Sequence, residues 1–157
     1  MKKNRRVCIG GTFDRLHKGH KALIDKAFEI AGENGWVFIG ITKGEIANKK
    51  KDVLPFNKRI QDVKKYLKEK GFYSQSEIQP IYDKYGPSIE GDFDAIIVSP
   101  ETEKVAQEIN RIRRKKRKKP LEIINIPFVL AENGSPISST RIRKKEINQE
   151  GHLLEKD

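Results

Sequence analysis

The run Trp36–Thr42 constrains the fold most strongly, because its residues are almost all apolar. Strands with one face in water alternate apolar and polar side chains. A near-continuous apolar strand is instead typical of a parallel sheet that is covered on both faces. Such a strand needs helices on each side of it, so the sequence predicts an α/β protein.

The rest of the chain alternates strand patterns with helical patterns. Further strands are predicted at 7–9, 77–82, 93–99 and 121–126, and helices at 18–33, 55–71, 101–119 and 138–149. This alternation predicts a Rossmann-like parallel sheet of about five strands flanked by helices, with right-handed crossovers. We expect a single domain over residues 1–157, with a short flexible tail from about residue 151.

The stretch Gly10–His20 joins the first strand to the first helix and is the first candidate site. In a strand–turn–helix unit, the N–H groups at the helix N-terminus can hold a phosphate. The helix opens on Lys18, Gly19 and His20, although a helix N-terminus favours negative side chains. An anionic ligand would supply the missing negative charge.

The same stretch resembles a known signature. Gly11-Thr12-Phe13-Asp14 followed by His17-Lys18-Gly19-His20 is similar to the T-x-x-H and HxGH motifs of the nucleotidyltransferase superfamily. Those enzymes transfer an adenylyl or cytidylyl group to a phosphate and release pyrophosphate. The resemblance implies that ATP is bound by Gly11, Thr12, Phe13, His17, Gly19 and His20.

A second candidate phosphate site is Ile137–Arg141, at the start of the last predicted helix. A hydroxyl of Ser138 or Ser139 suits an N-cap, and Arg141 occupies a position where a capping box would have Glu or Gln. Free N–H groups, hydroxyls and a guanidinium favour phosphate binding. With Ile142 and Arg143 the stretch resembles the superfamily's second signature, I-S-S-[ST]-x-[IL]-R, which implies that Ser138, Ser139, Thr140 and Arg141 bind the phosphates of ATP.

The chemistry implied by the two signatures needs no covalent nucleophile and no base, because the incoming phosphate is already ionised. We expect His20 to donate to the α-phosphate, Arg141 to stabilise the departing pyrophosphate, and Thr12 to hold the attacking phosphate. A loop lysine would reach the same oxygens, and of Lys43, Lys49, Lys50 and Lys51 we favour Lys50. No residue beside His17 and His20 completes a metal-site spacing, so Mg²⁺ is expected to arrive with ATP.

The middle of the chain extends the resemblance. Tyr82–Pro87, Val98–Thr102 and Ile109–Arg113 look like the archaeal and eukaryotic type of phosphopantetheine adenylyltransferase. This resemblance implies transfer from ATP to 4′-phosphopantetheine, giving dephospho-coenzyme A. It places Ser99, Glu101 and Thr102 near the adenosine, Asn110 and Arg113 near the nucleotide phosphates, and Asp14, Asp83 and Tyr85, with Thr12 and Lys50, on the acceptor side.

Two other functions remain open from the sequence. An adenylyltransferase acting on FMN or nicotinamide mononucleotide would share both signatures. A basic RNA-binding domain is suggested by the net charge of +11 and by the cationic run 111–119. Nucleic acid is the less favoured partner, because no aromatic residue is interleaved with the charges between Lys104 and Lys119.

The compartment follows from cysteine usage and hydropathy. The single Cys8 cannot form an internal disulfide, which fits a reducing environment. No apolar run approaches the roughly 20 residues that cross a bilayer, and no signal peptide is recognised. We expect a soluble cytoplasmic protein without membrane contact, and a monomer is slightly favoured.

Overall fold

The computed structural model describes residues 5–49, 52–132, 134, 137–138, 142 and 147–154. The strands are β1 (Arg6–Gly11), β2 (Trp36–Thr42), β3 (Ser76–Ile81), β4 (Ala95–Val98) and β5 (Glu122–Asn125). The helices are α1 (Lys18–Ala31), the short α2 (Glu45–Asn48), α3 (Phe56–Lys70) and α4 (Glu103–Lys115), with a 3₁₀ turn at Tyr73–Gln75.

The strands form one sheet in the order β3-β2-β1-β4-β5, and every pair is parallel. The prediction of a five-stranded parallel α/β sheet flanked by helices is confirmed. The chain starts at β1, builds outward to β3, and then crosses to β4 on the other side. Because strand order reverses between β1 and β4, their carboxyl ends border the crevice in which such sheets bind ligands.

Both faces of the sheet are covered, which explains the continuous apolar strands. Along β2, Val37 and Ile39 pack into the core shared with α1 and α3, whereas Phe38 packs into the core on the α4 side. Alternate residues of β1 and β4 divide between the same two cores. Side chains alternate across a strand, so neither face of the central strands is left for polar residues.

Several element boundaries differ from the sequence prediction. Helix α4 ends at Lys115, before the basic run ends, because Lys116 N–H and Lys118 N–H bond back to Arg113 O and close the helix. Helix α2 lies in the stretch expected to be a loop. The helix predicted to reach Gln149 does not do so, since Ile147 forms an antiparallel bridge with Leu153.

The segment 147–154 packs on the protein, although a frayed chain was expected from about residue 151. Ile147 is fully buried in a small third core with Ala131 and Ile137. Gly151 is also buried, and Leu153 N–H donates to Glu132 Oε2 at 2.7 Å. No helix in the described part of the chain is long and apolar enough to cross a membrane.

Candidate active site

A cleft of about 290 Å³ opens at the carboxyl ends of β1 and β4. The loop that follows β1 forms one wall, and the start of α4 forms the opposite wall. Of the sequence-predicted site residues, the cleft brings together Gly11, Thr12, Phe13, Asp14, His17, Gly19, His20, Ser99, Glu101, Thr102 and Ser138. The two separate signatures and the central motif therefore meet at one place.

His17 and His20 fix each other at the start of α1. His17 is the N-cap, and its Nδ1 accepts from Gly19 N–H at 3.0 Å and from His20 N–H at 3.3 Å. His20 Nδ1 accepts in turn from His17 N–H at 3.1 Å. This is a capping box in which histidines replace the usual Ser or Thr and Glu.

Gly19 permits this arrangement. A Cβ at Gly19 would lie 2.9 Å from His17 Cε1 and 3.1 Å from His17 Nδ1, which is too close for an unshifted ring. The glycine of the HxGH pattern thus allows the histidine ring to fold back over the first turn of the helix. The requirement is a close approach rather than an unusual backbone conformation.

The protonation states follow from these contacts. Burial lowers the pKa of His17 to about 4, against an opposing effect of the nearby Asp14 charge. His17 is therefore neutral at pH 7. Because His20 Nδ1 accepts a hydrogen bond, the proton of a neutral His20 ring is carried by Nε2, which is a donor.

The N–H groups at the start of α1 have hydrogen-bond acceptors within the protein. Gly19 and His20 donate to the His17 side chain, and Lys18 N–H donates to Gln149 O at 2.9 Å. These donors therefore have acceptors within the protein in the described structure. That this helix end holds a phosphate through its N–H groups stays a prediction.

Phe13 occupies a strained position between β1 and α1. Its φ of +52° is in the left-handed region, which non-glycine residues rarely adopt, and its side chain is 1% exposed. Its ring centroid lies 5.3 Å from that of His20. Strain of this kind persists where surrounding packing enforces it, and it clusters at functional sites.

Asp14 is buried and holds the protein's own groups. Its carboxylate accepts from Leu54 N–H at 2.9 Å and from the Arg15 guanidinium at 2.7 Å. Arg15 also donates to Asp52 O at 2.8 Å. Asp14 lines the cleft, but these contacts tie the loop after β1 to the end of the lysine-bearing loop. The role of Asp14 in binding the acceptor stays a prediction.

A second groove, of about 260 Å³, adjoins the cleft and shares Gly10, Gly11, Thr12 and Thr102 with it. Its walls are mainly apolar and include residues of β1, β3, β4 and α4. Tyr85 lines it, with its hydroxyl donating to Glu108 Oε2 at 2.7 Å. Asp83 instead accepts from the N–H groups of Tyr85 and Gly86 and is not part of the lining.

Asn110 and Arg113 lie outside both cavities, contrary to the placement near the nucleotide phosphates. Asn110 is buried and exchanges hydrogen bonds with the main chain of Leu121. Arg113, 5% exposed, donates to the carbonyls of Lys119, Ser88, Ile89 and Gly91. Both side chains satisfy buried carbonyl groups, which explains why polar residues occur on the apolar face of α4.

Two buried residues beside Thr12 were missed as site residues. Thr42 donates to the Thr12 hydroxyl at 3.0 Å, and Arg59 donates to the carbonyls of both threonines. A signal was present in the sequence, because Arg59 interrupts the apolar face of α3 formed by Phe56, Ile60, Val63 and Leu67. A charge in such a position needs buried partners.

Four predicted site residues lie outside the described part of the chain. They are Lys50, Ser139, Thr140 and Arg141. Ser138, which belongs to the second signature, lines the cleft, and the adjacent Ile137 packs in the third core. Among the described residues, no group of three or more His, Cys, Asp or Glu side chains forms a metal site.

Comparison with known proteins identifies the family. Residues 8–145 match the family model described as cytidylyltransferase-like. The phosphopantetheine adenylyltransferase of Methanosarcina mazei is 51% identical over 149 residues, which are 94% of this chain and 96% of the relative. The chain belongs to the cytidylyltransferase-like family. The phosphopantetheine adenylyltransferase of Archaeoglobus fulgidus is 40% identical over 95% of this chain and 99% of the relative.

Solved structures show how the family's fold is shared. A crystal structure from Archaeoglobus fulgidus, described as a protein of unknown function, is 32% identical, with a TM-score of 0.70 over 96% of this chain and 99% of that chain. The pantoate-beta-alanine ligase of Francisella tularensis is 16% identical, with a TM-score of 0.60 over 91% of this chain and 67% of that chain. The second likeness concerns the fold alone.

Proposed function

We propose that this protein transfers the adenylyl group of ATP to 4′-phosphopantetheine, giving dephospho-coenzyme A and pyrophosphate in coenzyme A biosynthesis. The observation that carries the proposal is the junction of two cavities at Gly10–Thr12, next to the fixed His20. The lining of the cleft is mixed, with polar and apolar surface in similar amounts, whereas the lining of the groove is largely apolar. The names of the archaeal relatives support the same reaction.

The cleft beside His20 is the proposed ATP site. Ser99, Glu101 and Thr102 lie on the α4 side, where they suit the adenosine, and His20 lies opposite. Thr102 Oγ1 accepts from Ser99 N–H at 3.1 Å, which fixes the turn that carries these residues. Ser138 leads from this cleft into the second signature, whose Ser139, Thr140 and Arg141 we propose as contacts of the β- and γ-phosphates.

The apolar groove is the proposed acceptor site. 4′-Phosphopantetheine has a thin, partly apolar arm with a phosphate at one end. The groove offers Thr12 and Thr42 at the end nearest the cleft, and apolar side chains such as Ile81 and Val105 along its walls. The apolar walls suit the pantetheine arm, and the names of the archaeal relatives favour phosphopantetheine over FMN or nicotinamide mononucleotide as the acceptor.

The reaction then needs positioning and charge stabilisation. A phosphate oxygen of the acceptor attacks the α-phosphorus of ATP and forms a new P–O bond. The bond from that phosphorus to the bridging oxygen breaks, and pyrophosphate leaves with the electron pair. His20 Nε2–H donates to the α-phosphate oxygens as negative charge accumulates there, which is worth most in a preorganised site.

We propose that Mg²⁺ binds together with ATP. It prefers oxygen ligands and binds together with substrate phosphates, and Glu101 and Ser138 place oxygens on the cleft. When bound, it would neutralise charge on the leaving pyrophosphate. Lys50 is proposed to reach the phosphates from its loop, whose far end is held by Asp14.

The basic run gives little support to the RNA-binding alternative. Arg113 is internal, and both Lys116 and Lys118 contact the Glu90 carboxylate. Three of the eight basic residues in the run therefore bind the loop 84–91 of this protein. We propose a monomeric enzyme of the cytoplasm, a compartment consistent with the buried thiol of Cys8, whose pKa burial raises to about 12.

The test is pyrophosphate release from ATP and Mg²⁺ with phosphopantetheine, FMN and nicotinamide mononucleotide offered separately. Release with phosphopantetheine alone is the expected result. Release with FMN or the mononucleotide would keep the adenylyl-transfer chemistry and replace the acceptor. No release with any of the three would refute the proposed reaction.

A further inference from the structure

Thr42 is the last residue of β2, and its side chain lies beside that of Thr12. Its Oγ1 donates to Thr12 Oγ1 at 3.0 Å, and the residue is 6% exposed. The β1–β2 ladder ends at the pair Gly11–Ile41, so the two threonines form the next pair beyond it. The hydrogen bond between the two hydroxyls therefore fixes the position of the Thr12 side chain at the end of β1.

Arg59 holds the main chain of the same two residues. Its Nη1 donates to Thr42 O at 2.7 Å and to Thr12 O at 3.0 Å, while its Nε donates to Leu54 O at 2.8 Å. Burial lowers the pKa of Arg59, against the opposing charge of Asp14. A guanidinium nevertheless stays charged, and its planar fork sets the separation of the carbonyls it bridges.

We propose that Thr42 and Arg59 are positioning residues that aim the Thr12 hydroxyl at the phosphate of the acceptor. The inference rests on the proposed function, in which Thr12 holds that phosphate. Thr42 lines the apolar groove and is not part of the lining of the ATP cleft. Because Thr12 borders both cavities and Thr42 only the groove, we expect loss of the Thr42 hydroxyl to weaken acceptor binding more than ATP binding.

The first test uses Thr42→Val, which removes the hydroxyl at nearly constant shape, and Thr42→Ser, which keeps it. Steady-state pyrophosphate release is measured with each substrate varied in turn. Thr42→Val is expected to raise the KM for phosphopantetheine by about twofold to tenfold, the effect of one lost hydrogen bond. The KM for ATP stays within about twofold, and Thr42→Ser restores the wild-type value. Arg59→Lys, which keeps the charge and loses the planar fork, is also expected to raise the KM for phosphopantetheine while the KM for ATP stays within about twofold.

A double-mutant cycle with Thr12→Val separates positioning from direct contact. If Thr42 acts through Thr12, then Thr42→Val has no further effect on the acceptor KM in the Thr12→Val background. Full additivity, or an unchanged KM in Thr42→Val alone, overturns the positioning role. Wild-type protein that is inactive with phosphopantetheine overturns the proposed function and this assignment with it. An active wild type with an unaffected Thr42→Val variant overturns this assignment alone.

Discussion

The rings of His17 and His20 stack with their centroids 3.6 Å apart, and each ring accepts a hydrogen bond from the other residue's N–H group. The two histidines have different roles, one in capping the helix and one in the cleft. His17 is buried and neutral, and its Nδ1 accepts hydrogen bonds from the first turn of α1. His20, only partly buried, lines the cleft with its donor nitrogen fixed by its partner.

Replacement of His20 tests the donor role. His20→Ala is expected to lower kcat by about 10²–10³-fold, as for other groups that stabilise developing charge. The melting temperature changes by a few degrees, because the His17 cap remains. The measurement is pyrophosphate release beside thermal unfolding. His152→Ala is the control, since His152 is exposed and uses its main chain in the contacts of the tail. Turnover within about threefold of wild type in His20→Ala would exclude the role.

Burial of neutral His17 makes stability depend on pH. Its pKa is 6.5 when exposed and about 4 in the folded protein, so between these values the unfolded chain binds more protons. The free energy of unfolding is expected to fall as pH drops from about 6.5 to about 4, by at most about 3 kcal/mol, and to be insensitive to this group above 6.5.

The variant His17→Asn isolates that contribution. Asn keeps an acceptor at the N-cap and does not titrate. Denaturant unfolding at pH 4.5 and pH 7 gives, for each protein, the free energy of unfolding that is lost on acidification. The difference between these two losses reports His17, because the other titrating groups contribute equally to both proteins. The wild type should lose more stability than the variant on acidification. Equal losses in the two proteins would show that His17 is not held neutral by burial.

Arg113 and Arg114 on α4 offer a matched pair. Arg113→Ala leaves buried carbonyls without their donor and is expected to cost about 2–4 kcal/mol of unfolding free energy. The KM for ATP should change by less than about twofold. Arg114→Ala, on the exposed side of the same helix, should leave both quantities unchanged. A large rise in the ATP KM without loss of stability would instead support a contact between Arg113 and the nucleotide phosphates.

Gly151 tests whether the segment 147–154 supports the cleft. Its φ is +84°, and a Cβ there would lie 2.6 Å from Ile137 Cδ1, next to Ser138. Gly151→Ala is expected to raise the KM for ATP several-fold by displacing Ile137. Gly71→Ala is the control, because Gly71 has φ of +76° with nothing within 4 Å of its Cβ position. Both variants carry the cost of a left-handed alanine, so equal ATP KM values would show that the collision has no effect on the site.

The sequence by itself determined the sheet and the place of the site. Continuous apolar runs require a sheet covered on both faces, and the glycine turn with two histidines marks the crossover at which ligands bind. These features are local, since apolar periodicity and a short motif are visible within a few neighbouring residues. The same reasoning located Ser99, Glu101, Thr102 and Ser138 on the cleft through their motifs.

Only the tertiary structure decided which hydrogen-bond partners the polar side chains have within the protein. Asp14, Asn110 and Arg113 look like ligand-binding residues in the sequence, yet the structure gives each of them main-chain partners distant along the chain. Thr42 and Arg59 gain their place beside Thr12 through contacts that join β1, β2 and α3. A hydrogen bond between residues far apart in sequence depends on how elements pack, and no local pattern encodes that packing.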